Sequence, residues 1–456
     1  MHSAKLKKGT AVSLTEGPIW KGLLLFSIPL MLSNLFQQLY NTIDTAVVGV
    51  YAGNEALAAV GSTGALIQLL VGFFLGIATG AGVLYGTYFG AKDPDNMRRI
   101  GGGSMLLGII CGAILTVVGL IWTPQMLELM STPDDVMDHA ITYLRIYFAG
   151  VIPMMIYNVG AGLIRAAGDS TKPLMYLVIG GVMNLVLDIY SVAVLKMGVA
   201  GAAWATVISQ LASAVLVCIH LMRAPADMRL GLRDLRLDGR TAWQISKISL
   251  ACGLQSAMYG ISNLLVQIKI NTFGSIAMAG VAAYSKIDGF VYMPTMAISL
   301  AVSTYASQNV GAGRLDRVKQ GTKVSLLMGV GTAMLVGGIV LLTGNFLLGF
   351  FTDSPEVKAC GLEMMWFMAP FAWLCCIQDV LGGTIRGAGA ATPVTIISAM
   401  CICVFRVVWL TVMLMVWRDL KVVYMCYMLS WTIASICMAI YYFKGHWLRP
   451  MSEAVN

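Results

Sequence analysis

Apolar runs of about 20 residues recur from Leu23 to Phe443, and this recurrence restricts the fold more than any other feature of the chain. About 20 apolar residues is the length at which an α-helix spans the hydrocarbon core of a bilayer. The chain is 58% hydrophobic and 11% charged, whereas soluble domains carry roughly 25% charged residues. The runs do not alternate in polarity as the strands of a membrane β-barrel do. The sequence therefore predicts an all-α, polytopic membrane protein.

Twelve hydrophobic segments can be drawn, six on either side of the longest polar loop. That loop mixes arginine with aspartate, which is typical of a linker between two halves. We therefore predict twelve transmembrane helices in two six-helix lobes around a central cavity. The predicted parts are a tail at 1–19, a lobe at 20–222, a linker at 223–243, a second lobe at 244–443 and a tail at 444–456.

Basic residues are distributed unequally between the two sets of loops. The linker, both tails and the loops on their side carry most of the lysine and arginine, whereas the opposite loops carry only Lys196, Lys358, Arg418 and Lys421. The positive-inside rule then places both termini in the cytoplasm, in a multi-pass protein of the cell (inner) membrane. This distribution explains the net charge of +8 without a nucleic-acid partner. The lipid bilayer is the partner that the composition requires.

An internal repeat relates the two halves. Six spans are an even number, so both copies insert in the same orientation, and the repeat is parallel with its axis along the membrane normal. This architecture is typical of transport by alternating access between two lobes, and a duplicated helical bundle without a transport role is the alternative. Three separated motifs match at a fixed offset of 221 residues: Gly53–Gly61 with Gly274–Ala282, Gly90–Ala91 with Gly311–Ala312, and Gly162–Gly168 with Gly383–Gly389.

Charged residues inside the spans are informative because each costs a few kcal/mol or more at the bilayer centre. In the first half they are Asp44, Asp188 and Arg145, and Arg145 lies near a helix end. The two acids of the first half therefore have no evident basic partner. The second half also offers bases that can pair with its acids; its charged residues are Lys269, Lys286, Asp288, Glu363, Asp379 and Arg406.

A polar stripe ends at Asp44 in the first span. Gln37, Tyr40 and Asn41 precede Asp44 by seven, four and three residues. These spacings place all four side chains on one helical face.

Two further spans carry polar residues at a similar depth. Asn184 and Asp188 are four residues apart and share a face of the fifth span, and Thr206 lies in the sixth. At about 1.5 Å per residue, Asp188, Thr206 and Asp44 all fall in the outer half of the bilayer. The sequence therefore allows one polar cluster in the N-terminal lobe.

Five motifs together resemble the multidrug and toxic compound extrusion (MATE) family: Gln38–Gly49, Leu163–Asp169, Tyr292–Pro294, Gln308–Gly313 and Ile385–Gly389. The resemblance covers nearly the whole chain. It implies a membrane antiporter, not an enzyme, that exports small amphipathic and often cationic organic compounds. The coupling ion is a proton or sodium, no cofactor is expected, and a monomer is expected to suffice.

The resemblance also implies which residues bind the coupling ion. The first-helix acid, combined with the Asn-x-x-x-Asp motif of the fifth span, resembles the DinF-like branch of the family. The family's N-lobe cation site, including any sodium ligands, corresponds to Asp44, Asn184, Asp188 and Thr206, and its hydrogen-bonding surroundings correspond to Tyr143 and Asn158.

Two adjacent buried carboxylates cannot both be ionised cheaply, because desolvation and mutual repulsion oppose the second charge. Such a pair takes up a proton, or it holds sodium with amide, hydroxyl and carboxylate oxygens as ligands. Binding then favours one conformation of the lobe over the other. The sequence leaves proton and sodium both open. The alternative is that Asp44 and Asp188 only hydrogen-bond helices together.

The central cavity of the predicted bundle is the expected substrate site. For Asp379 two roles stay open, namely binding of a cation or substrate, and a structural ion pair with Lys269, Lys286 or Arg406. The residues expected to line the cavity are Gln37, Tyr40, Asn41, Met258, Tyr259, Met293, Asp379 and Arg406.

A flippase for a lipid-linked precursor is the competing function. Recognition of pyrophosphate would require a cavity rich in arginine and lysine. The acids of the first half argue against this function, whereas Arg145, Lys269 and Arg406 keep it open.

Overall fold

The computed structural model describes residues 13–130 and 132–449, so the predicted tails at 1–19 and 444–456 lie partly outside the described residues. The described residues form helices joined by short turns, which confirms the all-α prediction. The N-lobe contains α1 (Ile19–Tyr51), α2 (Asn54–Ala91), α3 (Pro94–Leu129), α4 (Asp134–Ala149), α5 (Val151–Ala166), α6 (Thr171–Asp188) and α7 (Gly198–Arg223). The C-lobe contains α8 (Gly239–Asn271), α9 (Ser275–Gly311), α10 (Leu315–Gly349), α11 (Pro355–Met368), α12 (Ala372–Gly387), α13 (Ala391–Ser398), α14 (Phe405–Val416) and α15 (Leu420–Lys444).

Several spans are interrupted and are built from two helices. Helices α4 and α5 form one span bent by 48°, and α11 continues into α12 through a 3₁₀ turn at Ala369–Phe371. A π-helical segment, Ala399–Val404, joins α13 to α14, and another, Ile189–Val194, extends α6. By length and apolarity, ten segments of the described chain can cross a membrane, and the bent pair makes eleven. Helix α8, which is 33 residues long and more polar than these segments, occupies the place of the remaining predicted span.

The backbone reproduces the internal repeat. Gly53 and Gly274 precede α2 and α9 with φ of 89° and 93°, and Gly168 and Gly389 follow α5 and α12 with φ of 92° and 91°. Positive φ is readily adopted only by glycine, so these four positions require it. The bend between α4 and α5 also has its counterpart at Ala369–Phe371. The parallel repeat predicted from sequence is therefore a repeat of backbone conformation.

The two lobes meet closely at the end of the bundle that carries the linker, here called the linker end. A Cβ placed on Gly76 of α2 would lie 2.4 Å from the Cα of Gly253 in α8. One turn further along, a Cβ on Gly80 would lie 2.4 Å from the Cα of Ser249. Small residues are the means by which membrane helices bring their backbones together. These residues therefore allow α2 and α8 to touch along the linker half of the bundle.

Helices α2 and α9 cross in a reciprocal contact at the same end. A Cβ on Gly90 would lie 1.9 Å from the carbonyl oxygen of Gln308, and a Cβ on Gly311 would lie 1.8 Å from that of Thr87. Gly90 and Gly311 are equivalent in the repeat, as are Thr87 and Gln308. The Gln308 amide Nε2 also donates to the carbonyl of Ala166 at 2.7 Å. The crossing therefore has approximate twofold symmetry and closes the linker end.

The segment before α1 is attached to the opposite lobe. The amide of Asn309 donates to the carbonyl of Leu14 at 3.1 Å, and the guanidinium of Arg314 donates to that of Thr15 at 2.5 Å. Leu14 is buried in one hydrophobic cluster with Phe26 of α1 and Tyr305 of α9. The first helix of the N-lobe is thus fixed to the C-lobe at the linker end.

The linker itself is held on α3 of the N-lobe. Arg99 forms a salt bridge with Asp238 at 3.0 Å, and Arg98 donates to the carbonyl of Ala226 at 2.7 Å. Asp238 also accepts hydrogen bonds from Thr241, whose backbone N–H it caps at the start of α8. The Thr241 hydroxyl, followed by Arg99, lowers the pKa of Asp238 to about 2. An ionised Asp238 therefore fixes the point at which the linker becomes α8.

Candidate cation-binding site

Asp44 of α1 and Asp188 at the end of α6 meet inside the N-lobe. They are 8% and 0% exposed, and their carboxyl groups lie within hydrogen-bonding contact of each other. Carboxylates only accept hydrogen bonds, so this contact requires a proton on one of them or a cation between them. The Oδ1 atom of each is buried without a hydrogen-bond partner in the described part of the chain.

Asn184 and Thr206 complete one side of the pair. One orientation of the Asn184 amide satisfies both of its polar atoms. In it the amide nitrogen donates to Asp188 Oδ2 at 2.8 Å, and the amide oxygen accepts from the Thr206 N–H at 3.2 Å. Asn184 and Asp188 lie one helical turn apart on α6, so one face presents both side chains. The Thr206 hydroxyl donates to the Ala202 carbonyl at 3.1 Å, which leaves its lone pairs free to accept.

Three phenols surround the carboxyl pair. Tyr40 lies one turn before Asp44 on α1 and donates to Thr206 Oγ1 at 3.5 Å. Tyr143 and Tyr147 of α4 have ring centroids 6.5 Å apart, and both lie within electrostatic range of Asp44. The sequence reasoning missed Tyr147, although its position four residues after Tyr143 was the available signal. The carboxyl pair is thus enclosed by neutral hydroxyl groups.

Within the described part of the chain, the pair has no basic neighbour to balance its charge. Its electrostatic neighbours within residues 13–130 and 132–449 are the two acids themselves and the phenols. Arg145, the base that the sequence offered in this lobe, is exposed on α4. A buried ion without a partner costs several kcal/mol. The site is therefore suited to acquire positive charge from outside, as a proton or as a small cation bound by oxygen atoms.

One of the residues predicted for the ion site lies apart from the carboxyl pair. Asn158 donates its amide to the Met154 carbonyl of its own helix at 2.8 Å, and among the described residues it forms no hydrogen bond with the acids. Of the α1 residues predicted for the cavity, Asn41 is exposed and Gln37 is half-buried. The structure therefore brings together Asp44, Asn184, Asp188, Thr206, Tyr40 and Tyr143.

A second polar cluster lies inside the C-lobe around Asp379 of α12. The Tyr292 hydroxyl of α9 donates to Asp379 Oδ2 at 2.5 Å, and the Ser299 hydroxyl donates to the Asp379 backbone carbonyl at 2.7 Å. Among the described residues, Asp379 makes no ion pair within 4.0 Å, so the predicted pairing with Lys269, Lys286 or Arg406 is not formed. The hydroxyl of Tyr292 takes the place that a base was expected to fill.

Arg406 is buried on α14 among neutral groups. Its Nε donates to the Ser430 hydroxyl at 2.9 Å, its Nη1 donates to the Asn263 amide oxygen at 3.2 Å, and its guanidinium lies 4.4 Å from the ring centroid of Tyr427. This cation–π contact and the two hydrogen bonds stabilise the charge. Arg406 is thus held within the lobe wall.

The other predicted cavity residues of the C-lobe are half-buried. Met258 and Tyr259 line a narrow crevice between α8 and α13, and the Tyr259 hydroxyl accepts from Gln378 Nε2 at 2.6 Å. Met293 lies beside Tyr292 on α9 and is half-buried. Among the described residues, no group of three or more His, Cys, Asp or Glu side chains is arranged to hold a metal ion.

Comparison with known proteins decides the family. The MatE family model matches the chain twice, over residues 29–190 and 251–412. The chain belongs to the MatE family. The two matches correspond to the two lobes, and the MatE assignment makes this chain a membrane transporter and not an enzyme.

MatE relatives from bacteria are similar along most of the chain. The probable multidrug resistance protein YoeA of Bacillus subtilis is 27% identical and covers 84% of each chain. The multidrug export protein MepA of Staphylococcus aureus is 21% identical over 83% of this chain and 82% of its own. Among solved structures, a MOP superfamily transporter from Pyrococcus furiosus superposes with a TM-score of 0.89, at 21% identity, over 96% of this chain and 98% of that chain. That likeness shows that the two chains share the MatE fold of two six-helix lobes.

Proposed function

We propose that this protein is an antiporter that exports small amphipathic, often cationic organic compounds in exchange for a proton or sodium. The observation that carries the proposal is the Asp44–Asp188 pair, which is buried and has an unpartnered Oδ1 on each carboxyl group. The names of two relatives, the multidrug export protein MepA and the probable multidrug resistance protein YoeA, support the substrate class. The pairing of a first-helix acid with Asn184 and Asp188 supports placement in the DinF-like branch.

The orientation in the membrane follows from the distribution of basic residues. The linker end carries most of the lysine and arginine of the loops, so we place it, with both termini, in the cytoplasm of a cell whose inner membrane holds the protein. The contacts between Gly90 and Gln308 and between Gly311 and Thr87 then close the cytoplasmic side. We infer from these contacts that the predicted cavity between the lobes opens to the outside.

Helix α1 connects the ion site to the contact between the lobes. Asp44 lies in its outer half, and Phe26 and Leu30, in its linker half, pack against Ala301 and Tyr305 of α9. Binding of a cation to the carboxyl pair removes the repulsion between α1 and α6. Because the same helix packs on the C-lobe, this change alters the relative stability of the closed and open linker end, which is what coupled transport requires.

The experiment is ethidium efflux from cells that express the wild type, Asp44→Asn or Asp188→Asn, with and without sodium and with a protonophore. Either substitution removes one carboxyl group and with it the repulsion that a bound cation relieves, so we expect loss of coupled export in both variants. Asp288→Asn is the matched control, because Asp288 is an intramembrane acid that already accepts from the Tyr284 hydroxyl at 3.1 Å.

The ion conditions identify the coupling ion. Loss of export with the protonophore alone indicates protons, and dependence on sodium indicates sodium. Unimpaired export by both Asp44→Asn and Asp188→Asn would refute the assignment of the site.

A further inference from the structure

The C-lobe cluster contains a half-buried base that the sequence reasoning did not select. Arg386 lies two turns after Asp379 on α12, and its guanidinium is within electrostatic range of the Asp379 carboxyl. Both residues also use Ser299 of α9, because Arg386 Nη2 donates to its hydroxyl at 3.4 Å and that hydroxyl donates to the Asp379 carbonyl at 2.7 Å. Asp379 and Arg386 are therefore parts of one network.

Neutral groups from a third helix fix the guanidinium in place. Arg386 Nη1 donates to Gln255 Oε1 of α8 at 2.8 Å, and Gln255 Nε2 donates onward to the Ser398 hydroxyl at 2.8 Å. The Gln255 side chain is 5% exposed and Ser398 is 4% exposed, so this anchor is buried. Since Gln255 carries no charge, the positive charge of Arg386 stays available to balance Asp379.

The other titratable groups within electrostatic range of Asp379 lie on three helices. They are the phenols of Tyr259 and Tyr292, on α8 and α9, and the thiols of Cys375 and Cys376, on α12. Asp288 of α9 reaches the same thiol, Cys375, and is itself hydrogen-bonded by Tyr284. The phenols and thiols are neutral near pH 7. Of the cations in the described residues, Arg386 is within electrostatic range of Asp379, and Arg406 reaches the Cys375 thiol.

The repeat shows how the two lobes differ. Position 158 is equivalent to 379 and position 165 is equivalent to 386, so the N-lobe has Asn158 with Arg165 where the C-lobe has Asp379 with Arg386. The N-lobe instead has its two intramembrane acids at Asp44 and Asp188, which have no basic neighbour among the described residues. One lobe therefore holds uncompensated negative charge, and the other holds an acid beside its own cation.

We propose that Arg386 is a built-in counter-cation that keeps the C-lobe cluster electrically neutral, so that this lobe binds no coupling ion. Arg386 is then a positioning residue: it limits the ions exchanged per transport cycle to those that the N-lobe binds. This inference rests on the proposed function, since it assumes that the N-lobe pair takes up the coupling ion.

The test measures ion binding by the purified full-length protein, with sodium-22 as one probe and proton uptake at constant pH as the other. Arg386→Gln leaves Asp379 without its cation, so we expect about one further monovalent cation bound per molecule. Arg386→Lys keeps the charge and should bind as the wild type does. The double variant Arg386→Gln with Asp379→Asn should return to the wild-type number.

Two results would overturn the proposal. The first is an unchanged number of bound ions in a folded Arg386→Gln protein, and the second is loss of a bound ion in Asp379→Asn alone, which would mean that the C-lobe already binds one. If Arg386→Gln does not fold, Asp379→Asn still decides. Failure of the proposed function would give a different result. Ion binding would then persist in the Asp44→Asn, Asp188→Asn double variant, whatever residue occupies position 386.

Discussion

Replacement of Gly311 by alanine should open the linker end of this transporter. A Cβ at Gly311 would lie 1.8 Å from the carbonyl oxygen of Thr87, whereas ordinary contacts begin at 3.4 Å. Helices α2 and α9 must therefore separate by roughly 1.5 Å, because backbone atoms in a packed interface cannot move aside independently. Overpacking of this kind costs about 1–3 kcal/mol.

This cost falls only on the conformation in which the two helices cross. A difference of about 1–3 kcal/mol corresponds to roughly 5- to 150-fold in an equilibrium constant, so the closed linker end should lose population by that factor. Gly90→Ala is expected to act in the same way, since a Cβ there would lie 1.9 Å from the Gln308 carbonyl oxygen. The double variant should cost less than the sum, because one separation of the helices relieves both contacts.

A native thiol reports the opening. Cys252 of α8 is 4% exposed and is buried in a cluster formed mainly by N-lobe residues, so it becomes accessible when the lobes part. Its alkylation by N-ethylmaleimide, followed by peptide mass spectrometry, should accelerate in Gly311→Ala. Cys437 of α15 lies within the C-lobe and serves as the internal standard.

Gly338→Ala is the matched control, because a Cβ at Gly338 of α10 meets no atom within 4 Å. Export of ethidium should fall in Gly311→Ala and remain in Gly338→Ala. Equal rates of Cys252 alkylation in the two folded variants would refute the reasoning, since the crossing would then not hold the linker end closed.

Three further predictions concern other parts of the molecule. Tyr292→Phe removes the hydroxyl that donates to Asp379 at 2.5 Å, and the unsatisfied acid should lower the free energy of unfolding by about 1–3 kcal/mol in a denaturant titration; an unchanged value would contradict this. Pro29 interrupts α1 near the place where this helix contacts α9, 15 residues before Asp44, and Pro29→Ala restores a backbone hydrogen bond there. We expect coupled ethidium export to fall several-fold at normal expression. Full export would exclude a role for a bend at Pro29. Asp238→Ala removes the cap of α8 and should lower the thermal stability. The pKa of Asp238 is lowered from 3.8 to about 2, so the stability that its carboxylate contributes is fully present above pH 3.8 and is lost only as the pH falls through about 2. The difference in stability between the wild type and Asp238→Ala should therefore be constant near neutrality and vanish in strong acid.

The fold could be predicted from the sequence because the bilayer imposes one solution on long apolar runs. Backbone groups in lipid must bond within their own segment, so each run becomes a helix. The repeat could be seen in the sequence because its glycines are required by the backbone. Gly168 and Gly389, for example, occupy equivalent positions whose positive φ excludes most other residues. The interruptions of the spans, such as the π-helical segment Ile189–Val194, left no comparable signal.

The candidate ion site was predicted in part. Helical spacing placed Tyr40 with Asp44 and Asn184 with Asp188, because residues three or four apart share a face. Spacing cannot tell which faces of different helices meet, and only the tertiary structure showed that the amide of Asn158 stays on its own helix. The same limit applies to Tyr147, which joins the site through the packing of α4.

The sequence by itself determined the composition-driven properties of this protein: its membrane location, its helical class, its duplication and the presence of unbalanced acids in the first half. The tertiary structure alone decided which charges meet. Asp379 was expected to pair with Lys269, Lys286 or Arg406, yet it is bonded by Tyr292 and lies beside Arg386. Electrostatic partners are chosen by distances of a few ångströms between different helices, and those distances are set by the packing of whole lobes and not by the order of residues along the chain.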